Sequence, residues 1–308
     1  MKVIHLGNRP VSFEEPLSLA VGYFDGLHKG HLQLIDEVKK QARDKGLKTA
    51  VLSFDPNPLV TLGIILEERL ITSLKDREEI LEELGIDYFL ILDFNKEIAN
   101  LSSEEFVSRF IIDLNVKQVV CGFDFYFGKQ GSGDSQTLKA LAQGNYEVSV
   151  IEKITDHQVK ISSSRIIESI KEGSVDKARQ LLSRPFTIRG KVVHGKKRGR
   201  LMGFPTANIV YDGYVHPRFG VYGVVCTIDN QQYGGMCNFG LNPTFTDIDH
   251  PSMEVYIFDF NEDIYDQEIK VAFYFYERGE MQFHDMNELK SQLNSDEEHI
   301  KKKLKSVI

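Results

Sequence analysis

The apolar texture of this chain changes once, near residue 184, and that change limits the folds open to it. Before it, short apolar runs alternate with helical spacing, as a parallel sheet joined by helices requires. Leu17 to Tyr23 reads as a buried strand, and Leu34, Ile35, Val38 and Ala42 follow at helical spacing until Gly46 stops the helix. Further strands are expected at Lys48 to Phe54, Asp87 to Leu92, Val116 to Cys121 and Tyr146 to Ile151. A helix is expected from Lys75 to Leu84, a capping box at Ser102 and Glu105, and a helix capped by Asp134. Two short helices, Ser163 to Glu172 and Ser174 to Leu182, close this half.

After Arg184-Pro185, β-rich segments follow one another: Phe186 to Val193, Gly220 to Ile228, Gln232 to Asn238, Met253 to Phe260 and Ile269 to Tyr276. Asp229-Asn230 fits a hairpin turn between two of them. Such a series indicates a small barrel or sandwich, and Met286 to Leu304 reads as an amphipathic helix packed on it. Two domains are therefore expected, 1–184 and 185–308.

The chain has 308 residues, enough for two cores, and no apolar run approaches the ~20 residues of a membrane span. The first residues reach Arg9 and Pro10 without a long apolar core, which argues against a secretory signal. A net charge of -8 argues against general affinity for nucleic acid or anionic membrane. Cys121, Cys226 and Cys237 form neither a CxxC pair nor a disulfide framework, consistent with a cytoplasmic protein. Nothing calls for an obligate protein partner.

Two glycine-punctuated motifs carry the chemistry. In the first, Gly22, Phe24, Asp25, Gly26 and Gly30 shape a turn from the first buried strand into the first helix. Helix-start amides are unpaired and suit a phosphate, and glycines let the backbone approach it. His28 and His31 lie three apart on the opening turn, where they could stabilise charge on a departing pyrophosphate. Alternatively they are surface residues, or half of a zinc site with no other ligands in view.

The second motif spans Gly190 to Asn208. Gly195, Gly199 and Gly203 permit a tight turn, with Lys196 adding positive charge beside Lys197, Arg198 and Arg200. Pro205 fixes the approach to Thr206, whose hydroxyl can ligate magnesium, and the Asn208 carbonyl can join it. A basic run alone reads as a solvated loop or a weak nucleic-acid patch.

The HxGH turn resembles the signature of the nucleotidylyltransferase superfamily. The longer string Gly22 to His31 resembles its bacterial bifunctional riboflavin kinase/FMN adenylyltransferase branch, also called FAD synthetase. Ser53 to Pro58, Gly122 to Gly128 and Ile161 to Arg165 match further blocks of that family. So do Gly203-Phe-Pro-Thr-Ala-Asn208, Pro217 to Tyr222 and Asn238 to Phe245.

The resemblance implies a Rossmann-like α/β N-terminal domain and a small Greek-key β-barrel C-terminal domain ending in a helix. It implies ATP-dependent conversion of riboflavin to FMN and of FMN to FAD, with magnesium as cofactor. Riboflavin, FMN, FAD and ATP are the implied ligands. It further assigns Ser162, Ser163, Ser164 and Arg165 to nucleotide binding, and Asn57, Asp124, Phe125, Phe127, Tyr222 and Asn238 to the flavin. Glu254 becomes the base for the riboflavin hydroxyl.

Ile167 stands where the family typically has arginine, and Asn57 where it usually has histidine. These departures leave open a kinase beside a degenerate adenylyltransferase. A flavin-binding regulator without chemistry is a second alternative, but mere binding would not require the Thr206–Asn208 pair and Glu254 that this chain keeps. Another HxGH transferase would not explain the second domain.

Overall fold

The computed structural model describes residues 1–8, 12–195, 199, 203–241 and 251–307. They form two compact units, Met1–Glu68 with Thr72–Ser162, and Arg69–Ile71 with Ser163–Ile308.

In the first unit, strands β1 (Lys2–Leu6), β2 (Leu17–Val21), β3 (Lys48–Asp55), β4 (Tyr88–Asp93), β5 (Val116–Gly122) and β6 (Glu147–Ile151) make one sheet. Its spatial order is β1-β4-β3-β2-β5-β6 and every pair is parallel. Parallel neighbours need long crossovers. These carry α1 (Lys29–Lys45), α2 (Pro58–Thr61), α3 (Leu74–Glu83), α4 (Lys96–Ala99), α5 (Ser103–Val107) and α6 (Ser135–Ala142).

Both faces of the sheet are covered, which is why β2 reads as an unbroken apolar run buried at every position. Ala20, Val51 and Phe89 pack with Leu34, Ile35 and Val38 of α1. Leu19, Leu52 and Leu90 pack on the other side with Phe106, Phe110 and Leu138. Gly46 ends α1 in the left-handed conformation at φ 67°, and Ser102 and Glu105 form the expected capping box. β2 and β5 are neighbours although β3 and β4 separate them in sequence, so the strand order reverses there. Loops leaving the carboxyl ends of such a pair diverge and open a crevice.

The second unit holds α7 (Ser163–Lys171) and α8 (Val175–Leu182), then a closed barrel. A small β7–β8 hairpin (Thr155–Asp156 and Val159–Lys160) precedes them in the first unit. The barrel strands are β9 (Phe186–Val193), β10 (Thr206–Val210), β11 (Gly220–Ile228), β12 (Gln231–Gly240), β13 (Ser252–Ile257) and β14 (Glu268–Arg278), in the order β10-β13-β12-β11-β14-β9. Asp229 and Asn230 both take positive φ, 47° and 65°, as a type I′ hairpin turn demands.

Two strands not named in the sequence reading have physical explanations. β1 escaped it because this edge strand is mostly exposed and its alternation is weak. β10 is only five residues long and begins inside the second motif, so its pattern is too short to mark a strand. α8 belongs to the second unit because its Val175, Ala178, Leu181 and Leu182 are buried and the helix packs on β14 and β9.

The C-terminal helix, Met286–Leu304, closes the barrel through Ile300 and Leu304, which meet Val221, Val225, Met236, Phe258 and Phe275. Its Asp296 is 3% exposed and accepts hydrogen bonds from Arg278 Nε (2.9 Å), Arg278 Nη2 (2.7 Å) and Gln292 Nε2 (2.7 Å). Removing one member of a buried ion pair strands the other. Asp296→Ala is therefore expected to destabilise this unit by about 3–5 kcal/mol, read as a lower denaturant midpoint by circular dichroism.

Candidate functional site

In the first unit β2 delivers the chain to the turn that opens α1. Phe24, Gly26 and Leu27 take positive φ, so the backbone folds back on itself before the helix begins. His28 is the N-cap of α1, and its Nδ1 accepts a hydrogen bond from the His31 amide at 3.3 Å. The two imidazoles stack with centroids 3.7 Å apart and planes 12° apart, and Phe24 meets His31 edge-on at 5.2 Å. A Cβ on Gly30 would lie 3.0 Å from His28 Cε1, so only glycine leaves that ring in place. Helix amides and both histidines thus converge at one end of the sheet, where they can meet a phosphate.

Other expected ligands take different roles in this packing. Asp25 is 5% exposed and turned inward, its Oδ1 accepting from the Thr72 amide at 3.0 Å. Asn57 caps α2 through the Leu59 amide (2.9 Å) and donates to Glu68 Oε1 (2.7 Å). Tyr23 donates to the same Glu68 oxygen, and burial followed by that bond raises its hydroxyl pKa well above the ordinary value. The phenol therefore remains a donor.

The loop after β5 presents Phe123 and Tyr126, which are 40% and 66% exposed. Phe127 instead joins the core against Phe106 at 5.3 Å, and Phe125 stacks on Phe127 at 5.7 Å. Asp124 pairs with Lys160, whose ammonium lies 4.9 Å from the Phe123 ring centroid. Tyr126 was missed by sequence reasoning, and its only signal was an aromatic in a glycine-bounded loop. Ser162 closes the first unit, while Ser163, Ser164 and Arg165 open α7 in the second.

In the second unit strand register sets the geometry. Asn208 of β10 pairs with Glu254 of β13, and Glu254 pairs with Asn238 of β12. Directly opposed residues share a face about 5 Å apart, so the three form one row. Thr206, two residues before Asn208, shares that face, and its Oγ1 donates to Glu254 Oε2 at 3.5 Å. β13 alternates partly exposed Glu254 and Tyr256 with buried Val255 and Ile257.

Thr206 borders two cavities. One, about 350 Å³, is lined by Asn238, Glu254, Tyr256, Met236, Leu289 and Leu293 among others. The other, about 440 Å³, includes Pro205, Ala207, Asp263 and Tyr265. Gly203 turns with φ 91°, and a Cβ on Gly195 would lie 2.1 Å from Asn208 Nδ2. Lys196 lies outside the described residues. Tyr222, expected at the flavin, is fully buried in the barrel core, donating to the Arg218 carbonyl and meeting Phe273 edge-on at 5.2 Å.

The cysteines stand apart from this chemistry. Burial pushes the Cys121 thiol up to about 11 and Cys226 to about 12, and holds Cys237 well above the ordinary thiol value, so all three stay protonated. Among the described residues no group of His, Cys, Asp and Glu side chains could hold a metal ion on its own.

Comparison with known proteins agrees with this division. A family model described as FAD synthetase matches residues 11–165, and one described as riboflavin kinase matches 182–304. A relative from Listeria monocytogenes is 40% identical over 304 residues, covering 97% of this chain and 96% of its own. One from Escherichia coli K12 is 33% identical over 301 residues, covering 96% of each. Both are named bifunctional riboflavin kinase/FMN adenylyltransferase. The chain belongs to that family. A solved structure described as a macrolide-efflux protein from Streptococcus pneumoniae superposes with a TM-score of 0.89 at 36% identity, covering 97% of this chain and 98% of that one.

In this family member the FAD synthetase match ends at Arg165 and the riboflavin kinase match begins at Leu182, so most of α7 and α8 lies between them. The Gly195 contact gives the row a direct check. Gly195→Ala forces the Asn208 amide aside, and overpacking of this kind costs about 1–3 kcal/mol. A lower thermal midpoint and a displaced Asn208 side chain in a crystal structure are the expected outcome.

Proposed function

We propose that the second unit transfers the γ-phosphoryl of ATP to riboflavin, and that the first adenylylates the resulting FMN to give FAD and pyrophosphate. The observation that carries this is the row Asn208–Glu254–Asn238 with Thr206 beside it, at the junction of two cavities. The mixed apolar and polar cavity containing Glu254 suits a flavin, and the other suits the nucleotide. A transferring phosphoryl group then lies by Thr206, within reach of both.

Glu254 accepts the proton of the riboflavin 5′-hydroxyl as its oxygen attacks the γ-phosphorus and ADP leaves. Thr206 and Asn208 offer hard oxygen donors on one face, and the nearby Glu254 carboxylate adds negative charge, a set that fits magnesium. When bound, that ion neutralises charge on the triphosphate. Asn238, exposed and in the same row, is placed to hydrogen-bond the flavin side.

In the first unit an FMN phosphate oxygen attacks the α-phosphorus of ATP in line, and pyrophosphate departs. No covalent enzyme intermediate is required. The open amides of α1 and the stacked His28 and His31 stabilise charge on the leaving group. Exposed Phe123 and Tyr126 offer aromatic faces to the isoalloxazine ring. The efflux description of the Streptococcus pneumoniae structure is not carried over: among the described residues no helix is long and apolar enough to cross a membrane.

A time course with riboflavin, ATP and magnesium, resolved by chromatography, tests the scheme. FMN is expected to rise first and FAD to follow at its expense. FMN accumulating without any FAD would leave the kinase reading alone. Glu254→Gln keeps shape and removes basicity, and is expected to slow FMN formation by about 10²–10⁴-fold, while added FMN is still converted to FAD. A Gln variant phosphorylating riboflavin at the wild-type rate would overturn the assignment of the base.

A further inference from the structure

We propose that Arg77 is a positioning residue for the adenylylation step, fixing the turn that carries His28 and His31 and lending its buried charge to ATP binding there. This rests on the adenylylation reading above.

Arg77 lies in the first turn of α3 and is 2% exposed. Its Nη1 donates to the Tyr23 carbonyl (3.0 Å) and to Ser53 Oγ (3.2 Å), and Ser53 Oγ itself donates to that carbonyl (2.8 Å). The guanidinium carbon is 5.1 Å from the Tyr23 ring centroid. Its Nε is buried without a hydrogen-bond partner, and among the described residues it forms no ion pair.

The two hydrogen bonds could be made by a neutral donor, so they do not by themselves call for a cation in this place. A positive charge in the first turn opposes the helix dipole. A buried guanidinium without a carboxylate is among the costlier features a fold can carry. Structures keep such violations where function uses them.

The geometry says what the use is. The start of α3 holds the turn at three successive points. Arg77 takes the Tyr23 carbonyl, the Thr72 amide takes the Asp25 carboxylate (3.0 Å), and Thr72 Oγ1 accepts from the Gly26 amide (2.9 Å). Those residues run directly into His28, the N-cap of α1. A triphosphate on the α1 amides would be an anion beyond a turn whose Tyr23 carbonyl is held by the buried guanidinium and whose Asp25 carboxylate is held by the Thr72 amide. Buried charges are screened less than exposed ones. Arg77 therefore acts through the turn, not by touching the nucleotide.

Two variants of the full chain separate charge from scaffold. Arg77→Gln keeps a donor for the Tyr23 carbonyl and removes the charge. Arg77→Lys keeps the charge and one donor. With FMN as the only flavin, Arg77→Gln is expected to raise the KM for ATP in FAD formation by about tenfold to a hundredfold, the range for a lost charged interaction. The KM for FMN stays within about threefold and riboflavin phosphorylation is unchanged. Arg77→Lys is expected to return the KM for ATP to within about threefold of wild type.

A folded Arg77→Gln protein with the wild-type KM for ATP would sink the proposal. If Arg77→Gln does not fold, Arg77→Lys decides: a KM for ATP within about threefold supports the role, and a rise of tenfold or more with phosphorylation intact overturns it. Wild-type protein is the control for the reading beneath. If it forms no FAD, adenylylation itself is wrong, whatever Arg77 does.

Discussion

Open amides at a helix start can hold an anion only when the chain fixes where they point, and in the first unit that is the work of the β2–α1 junction. β2 is central and buried at every position, so the chain can leave it only over the carboxyl edge of the sheet. The buried Leu34, Ile35 and Val38 then set the axis of α1 against the sheet. The turn between has little freedom left. Positive φ at Phe24, Gly26 and Leu27 and the missing Cβ at Gly30 are the local consequences. The stacked imidazoles follow from those.

The barrel meets a comparable constraint through alternation. Because Val255 and Ile257 must face inward, Glu254 and Tyr256 must face out. Closure of the sheet then decides which neighbours Glu254 has, and they are Asn208 and Asn238. A slip of one residue between β10 and β13 would put Asn208 opposite an inward-facing position and dissolve the row.

Where local pattern and tertiary burial agree, the sequence was readable. α1, its glycine stop, the Ser102 capping box and the Asp229-Asn230 turn all have local causes, and all are found where expected. Placement of side chains within a motif was not readable. Phe125 and Phe127 alternate with Asp124 and Tyr126, but only packing on Phe106 shows that Phe127 is core. Tyr222 sits beside a motif and is fully buried, a depth that depends on Phe273 and Tyr276 from a distant strand. Asn57 bonds to Glu68, eleven residues away, a pairing no local pattern marks. The packing of α8 was hidden for the same reason: it looks like one more crossover helix until β14, far along the chain, lies against it.

A chain with a net charge of -8 that handles polyphosphates must concentrate positive potential where it is needed. The two units do this by different means. In the first, the helix-start dipoles and the buried Arg77 guanidinium are fixed parts of the fold, so their potential exists before any ligand arrives. In the second, the described polar row is made of a hydroxyl, two amides and a carboxylate, with no cation among them. Such a row cannot hold a triphosphate by itself, and its carboxylate repels one. A divalent ion entering with the nucleotide would offset that repulsion. Strand register thus fixes which polar groups meet on the barrel, with Asn208 and Asn238 flanking Glu254.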